Sequence, residues 1–182
     1  MERIRLSPED YSEPEMRRLT DSLYKSGIRI FVFSFHSPSI QPGGTPYVQN
    51  QADLDNFKRK AEAGADSAIT QYFFNPDAYF RFLDDCQRMA VDIPVIPGIM
   101  PITNYKQLAR FSDSCGAEIP RWIRKRLEAY GEDLESIRQF GLDVVTHLCE
   151  QLLDGGSPGL HFYSMNRSEP VKTIWTTLGL TD

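Results

Sequence analysis

The sequence predicts an α/β protein built from parallel βα units. Four apolar runs, rich in β-branched and aromatic residues, indicate buried strands at 28–35, 67–72, 92–100 and 159–165. Segments with helical periodicity separate these runs. Strands that alternate with helices pair in parallel through right-handed crossovers, so a parallel sheet covered on at least one face is expected.

The first unit is predicted from an N-terminal helix and the strongest apolar run of the chain. Ser12-Glu13-Pro14-Glu15 is a capping-box pattern that opens a helix over 13–26, and Gly27 ends it. The strand IRIFVFSF (28–35) follows. The segment 36–48 is rich in Pro, Gly and Ser and is expected to be a loop.

The second unit begins with a helix over 51–64, closed by Gly64, and continues with the strand 67–72. Asn75-Pro76 then places an N-cap before a proline at the first helical position, which predicts a helix through about Ala90.

The remaining units repeat the pattern. After the strand 92–100, a helix begins at Asn104, and two further helices are predicted over 119–130 and 132–153. Leucine, isoleucine and valine form an apolar stripe along the second of these. The fourth strand, 159–165, and a helix over 170–178 complete the series.

Four strands are half of a (βα)8 barrel, which takes about 250 residues in its usual form. The 182 residues are therefore expected to form a single α/β domain. The sheet could lie open as a small α/β fold, or two copies could pair to give eight strands. Because exposed sheet edges invite pairing, homodimerisation is expected.

Composition and charge restrict the classes of partner that this protein is expected to bind. A formal charge of −5 and a pI near 5.3 argue against nucleic acid or an anionic membrane as the main partner. No apolar stretch reaches the roughly 20 residues of a membrane span, and MERIRLSPED lacks the apolar core of a signal peptide. The scattered cysteines Cys86, Cys115 and Cys149 are expected to be reduced thiols, which favours a cytoplasmic location.

The carboxyl ends of the predicted strands carry the candidate site, because ligands of parallel α/β folds gather there. Gln71 offers an amide for the edge of a heterocycle, Arg167 a fork for a carboxylate or phosphate, and Gly98 a close backbone approach to a flat ligand. A loop-capping Gln71 and a solvated Arg167 are the structural alternatives. Neither a metal-like spacing nor a Gly-rich phosphate-binding motif is present.

Beyond these local patterns, residues from about 52 to 182 resemble the C-terminal part of bacterial methylenetetrahydrofolate reductase. The resemblance rests on the blocks ADLDNFKRKAEAGADSAITQYFFNPDAYFRF, IPVIPGIMPITNYKQLARFSDSCGAEIPRWI and GLHFYSMNRSEP. Members of that family are FAD-dependent βα barrels that reduce methylenetetrahydrofolate with NADH or NADPH.

The resemblance implies roles for two sets of residues. It implies FAD contacts for the polar stripe of the helix QADLDNFKRK and for the end of the next strand, at Asp53, Asn56, Arg59, Lys60 and Gln71. It implies folate or nicotinamide contacts for Gln71, Gln107, Phe111 and Arg167. The strands that carry that family's catalytic glutamate have no counterpart here, so no catalytic residue is assigned.

Residues 3–57 instead resemble the C-terminal end of a polysaccharide deacetylase family. The resemblance rests on FSFHSPS and PGGTPYV, and it would make His36 a vestige of a deacetylase histidine that has lost its metal ligands. The two resemblances imply a chimera joined near 50–58, with a deacetylase-like piece over 1–56 and a reductase-like piece over 57–182.

Three functions follow from these resemblances. The first is a folded scaffold that binds FAD or folate weakly at most. The second is an active methylenetetrahydrofolate reductase that uses FAD and NAD(P)H. The third is a polysaccharide deacetylase.

Overall fold

The computed structural model describes residues 51–180, all within one compact unit. This part of the chain holds three strands and six helices in alternation. In chain order they are α1 (Gln51–Glu62), β1 (Ala68–Tyr72), α2 (Pro76–Arg88), β2 (Val95–Ile99), α3 (Tyr105–Cys115), α4 (Arg121–Tyr130), α5 (Leu134–Asp154), β3 (His161–Phe162) and α6 (Glu169–Thr177).

The three strands form one parallel sheet in the order β1-β2-β3. Each strand thus lies beside its predecessor, the order of a sheet wound in one direction, as in a barrel. The prediction of an α/β fold with a parallel sheet is confirmed. The predicted strand 28–35 and the helix 13–26 lie outside the described residues, so a fourth βα unit stays a prediction.

Helices cover one face of the sheet. Along this layer α1 packs on α2, α2 on α5 and α5 on α6, while α5 also contacts β2 and α4. The buried core between the layers includes Val95, Ile99, Leu152 and Ile174. The predicted apolar stripe of α5 is therefore the side that faces the core.

Register assigns the strand residues to two faces, because neighbours across a sheet point the same way. Ala68 is paired with Val95, and Ile99 with Phe162, on the helix-covered side. On the opposite side Ile69 is paired with Ile96, and Gly98 with His161. Ile69 is 39% exposed, so in the described chain this second face is partly open.

Local capping explains where the helices begin. The Asn75 side chain accepts a hydrogen bond from the Asp77 backbone N–H at 3.1 Å, with Pro76 at the first position of α2. Asn104 caps α3 in the same way, and Asp133 caps α5. Helix α3 ends at Cys115, where Gly116 adopts a left-handed conformation with φ of 70°.

None of the six described helices is both long and apolar enough to cross a membrane.

Candidate functional site

A small open cavity, with a volume of about 30 Å³, lies at the carboxyl ends of β2 and β3. Gln107, Phe111 and Arg167, three residues predicted to contact a substrate, all line it. The first two come from α3 and the third from the loop after β3, so elements sixty residues apart in sequence form one cavity.

Helix α3 forms one wall of this cavity. Gln107 and Phe111 are spaced i, i+4 and therefore share a helix face, and both are partly buried. The Asn104 side chain, which also lines the cavity, accepts a hydrogen bond from the Gln107 backbone N–H at 2.9 Å. The start of α3 and the position of Gln107 are thereby fixed together.

Tyr163 also lines the cavity. Its hydroxyl donates to the Thr70 carbonyl at 3.0 Å, and burial raises the pKa of this phenol, so the donor stays protonated. The Tyr163 ring passes close to Gly98. A Cβ atom at Gly98 would lie 2.7 Å from Tyr163 Cε2 and 2.3 Å from the Thr70 oxygen. Gly98 therefore accommodates a protein side chain, in addition to any ligand that it was predicted to admit.

The loop after β3 is a tight turn at the cavity rim. The Arg167 N–H donates to the Ser164 carbonyl at 2.9 Å, and Met165 and Asn166 have φ of 51° and 61°. Two successive positive φ values across such a bond are those of a type I′ turn, which suits asparagine but strains methionine. The turn brings both Met165 and Arg167 to the cavity.

Gln71, predicted to contact both flavin and folate, sits in a β-bulge. Between the pairs Ile69–Ile96 and Tyr72–Gly98, β1 has one residue more than β2. The Thr70 hydroxyl accepts from the Gly98 N–H at 2.9 Å and so bridges the irregularity. The Gln71 side chain is exposed and outside the cavity lining, and its oxygen accepts from the Tyr72 N–H at 3.0 Å. The amide nitrogen is thus the atom of Gln71 that can donate to a ligand.

The predicted flavin stripe lies on α1, apart from the cavity lining. The Arg59 guanidinium donates to the Asn56 amide oxygen, and both residues are exposed. Partial burial lowers the pKa of Lys60, and the nearby Asp53 carboxylate opposes that shift. The structure therefore keeps the four predicted flavin residues in one group on α1 but does not bring them to the residues predicted to bind folate.

The apolar side of α1 packs inward. Phe57 contacts Phe82 of α2 with ring centroids 5.2 Å apart.

Residues 51–180 contain no group of three or more His, Cys, Asp or Glu side chains placed to hold a metal ion. His36 lies outside the described residues. His161 lies against the Tyr163 ring, with centroids 4.9 Å apart, as expected for two residues on one strand face.

Sequence reasoning did not single out Tyr72 and Ser112. The Tyr72 hydroxyl lies 3.0 Å from Ser112 Oγ, and both residues are almost fully buried, at 4% and 3% exposure. A tyrosine within the run QYFF looks like an ordinary core residue. The one available signal was a serine in place of an apolar residue one position after Phe111 on the same helix.

With this geometry in place, comparison with known proteins gives consistent matches. The family model described as methylenetetrahydrofolate reductase matches residues 24–179, so it extends across the predicted junction at 50–58. The 5,10-methylenetetrahydrofolate reductase of Buchnera aphidicola is 41% identical over 130 residues, and that of Escherichia coli K12 is 39% identical over the same length. Methylenetetrahydrofolate reductase (NADH) 1 of Zea mays is 36% identical over 148 residues, which are 81% of this chain and 25% of the maize protein.

The two bacterial matches cover 71% of this chain but 44% of each relative. The chain thus spans less than half the length of these curated relatives.

A solved structure is also similar. A Clostridium thermocellum protein, described as binding two copies of 5-methyl-5,6,7,8-tetrahydrofolic acid, superposes with a TM-score of 0.51 at 19% identity. The match covers 72% of this chain and 50% of that one. At this identity the likeness concerns the fold alone.

Proposed function

Since this chain belongs to the methylenetetrahydrofolate reductase family, we propose that its cavity at the ends of β2 and β3 binds a reduced folate. The observation that carries the proposal is the meeting of Gln107, Phe111 and Arg167 in that one cavity. The resemblance to the reductase family implies folate or nicotinamide contacts for the same three residues.

The three side chains supply complementary chemistry for such a ligand. The Phe111 ring offers a face on which a pterin can stack. The Gln107 amide both donates and accepts, which suits the edge of a pterin heterocycle. The Arg167 guanidinium suits the carboxylates of the glutamate tail. The structural relative described as binding 5-methyltetrahydrofolate adds support for this ligand class.

The α1 stripe fits FAD by the chemistry of its donors. Arg59 and Lys60 offer two cations for a pyrophosphate, and the exposed Asn56 amide offers hydrogen bonds. We propose that Asp53, Asn56, Arg59 and Lys60 hold this cofactor, and that the Gln71 amide contacts both the cofactor and the folate. When bound, FAD supplies the hydride chemistry of the reductase family.

Folate binding is tested by titrating the full chain with 5-methyltetrahydrofolate in a calorimeter. Arg167→Ala should weaken binding by about tenfold or more, the usual effect of losing a hydrogen bond to a charged group. The matched control is Arg110→Ala, which removes an exposed arginine of α3 that is outside the cavity lining. Equal affinity of the two variants would remove Arg167 from the site, and no binding by the wild type would refute the proposal.

Reductase activity is the second candidate, favoured by 41% and 39% identity to two bacterial reductases, a match that covers 71% of this chain and 44% of each relative. Its test is the visible spectrum of the protein with added FAD. A bound-flavin spectrum that NADH bleaches, and that methylenetetrahydrofolate restores, would establish it. The absence of any spectral change at high FAD would leave a folate-binding scaffold.

The predicted pairing of two copies of this chain can be tested separately. Within the described sheet β1 and β3 are the outer strands, so we propose that a second copy pairs at an edge. A monomer at micromolar concentration in size-exclusion chromatography with light scattering would contradict that.

For the deacetylase origin of residues 3–57, metal-dependent acetate release from a chitin oligomer is the required observation. The reductase family match over 24–50 does not favour it.

A further inference from the structure

We propose that Tyr72 is a positioning residue: its hydroxyl, bonded to Ser112, sets the distance between Gln71 on β1 and the folate-facing side of α3. This inference rests on the proposed folate site and adds a residue that does not itself touch the ligand.

The contact joins two elements that carry the candidate site. Tyr72 ends β1, directly after Gln71, and its hydroxyl lies 3.0 Å from Ser112 Oγ on α3. Ser112 directly follows Phe111, whose ring lines the cavity. The hydrogen bond therefore links the immediate neighbours of two residues with proposed ligand contacts.

The groups around the Tyr72–Ser112 hydrogen bond are those expected for a specific polar contact. The Cys115 thiol donates to the Tyr72 oxygen at 3.6 Å, so the Tyr72 hydroxyl has two side-chain partners, Cys115 and Ser112. Burial raises the pKa of Tyr72, so the phenol remains protonated at any physiological pH. A hydroxyl pair inside an otherwise apolar contact is geometrically demanding, because an unsatisfied buried hydroxyl is costly.

The same short segment of β1 is also hydrogen-bonded to Tyr163, another residue of the cavity lining. The Tyr163 hydroxyl bonds the Thr70 carbonyl, and the Thr70 hydroxyl accepts from the Gly98 N–H. Gln71 thus lies between one residue fixed to the β3 side and one fixed to α3. Since the regular ladder is interrupted between Ile69 and Tyr72, these side-chain bonds contribute to the position of Gln71.

The test compares two tyrosine-to-phenylalanine variants of the full chain. Tyr72→Phe removes the Ser112 bond. Tyr79→Phe is the matched control, since Tyr79 is 2% exposed and donates to the Val95 carbonyl at 2.7 Å, at the amino end of β2. Both variants lose one buried hydroxyl bond, so both should be destabilised. Only Tyr72→Phe should weaken 5-methyltetrahydrofolate binding, by roughly threefold to tenfold.

A double-mutant cycle separates positioning from general loosening. Gln71→Ala should weaken binding in the wild type and have a smaller effect in the Tyr72→Phe background, because Gln71 is already displaced there. Additive effects, or equal affinity losses in Tyr72→Phe and Tyr79→Phe, would overturn the inference.

A ligand-independent readout keeps the two proposals distinct. The side-chain amide signals of Gln71 in a 15N NMR spectrum should shift in Tyr72→Phe and stay unchanged in Tyr79→Phe. If the wild type fails to bind 5-methyltetrahydrofolate, the proposed folate site falls, and the amide signals still decide the positioning role. Unchanged Gln71 signals in Tyr72→Phe would refute that role.

Discussion

Replacing Gly98 with alanine tests the close contact between β2, the β1 bulge and the Tyr163 ring. An added methyl group at this position would lie 2.3 Å from the Thr70 oxygen, 2.7 Å from Tyr163 Cε2 and 3.2 Å from the Gln71 carbonyl carbon. Non-bonded carbon contacts are favourable at about 3.5–4.0 Å. One of the strands and the tyrosine ring must therefore move by on the order of 1 Å.

The ring could turn away, but the Thr70 oxygen belongs to the backbone and is held by the Tyr163 hydroxyl at 3.0 Å. Overpacking in a core costs about 1–3 kcal/mol, and a clash with a backbone atom belongs at the upper end. We therefore expect Gly98→Ala to lower the free energy of unfolding by about 3 kcal/mol. Displacement of Tyr163 should also weaken folate binding.

The assay is equilibrium unfolding in urea, followed by circular dichroism. The matched control is Gly159→Ala, where an added Cβ meets no atom within 4 Å and φ is not in the left-handed region. Its free energy of unfolding should be unchanged or raised by about 0.4–1 kcal/mol, since alanine restricts the unfolded chain. If the two variants differ by less than about 0.5 kcal/mol, the described contact of Tyr163 with β1 is wrong.

Three further outcomes are expected. Met165→Gly should raise the free energy of unfolding, measured in urea, by about 0.5–1 kcal/mol, because glycine relieves the strain of the φ of 51°. The same substitution should weaken 5-methyltetrahydrofolate binding. A loss of stability would contradict the type I′ turn. Asn104→Ala should cost about 1 kcal/mol in the same assay through loss of the cap to Gln107, and a wild-type midpoint would refute that cap. Burial raises the pKa of the Cys149 thiol from 9.0 to about 12, so the contribution of this thiol to stability should be constant below pH 9 and fall above it, as the unfolded chain loses a proton that the folded chain keeps. The pH slope above 9, measured in urea with reductant, should be smaller in Cys149→Ala, and an identical slope would exclude this thiol as the cause.

Helix starts could be predicted from sequence because capping is local. Asn75-Pro76 and Asn104 each satisfy a backbone N–H within three residues, so the signal and the structure it produces lie in the same short segment. Strand lengths could be predicted less accurately from sequence. The run 159–165 predicted a full strand, but only His161 and Phe162 pair, because β3 meets only the last two residues of β2.

The candidate site likewise combines features that local sequence predicts with features that depend on contacts between distant segments. The i, i+4 spacing of Gln107 and Phe111 is visible in sequence, and so is the position of Arg167 after a strand. The bond between Tyr72 and Ser112 is not, because it spans forty residues and depends on how far α3 lies from β1. Nor does alternation reveal the bulge at Gln71, since an extra residue is defined only against the partner strand.

The two faces of the described sheet carry different kinds of side chain. Residues on the helix-covered face, such as Val95 and Ile99, are buried and apolar, and any polar group there would need a partner in the core. The opposite face places Gly98 beside His161 and an exposed Ile69, a mixture that suits neither a closed core nor a plain solvent surface. Such a face, with a cavity at the carboxyl ends of β2 and β3, suits a flat and partly polar ligand. Within residues 51–180, the strands pack against helices through one face, and the other face carries Gly98 and His161.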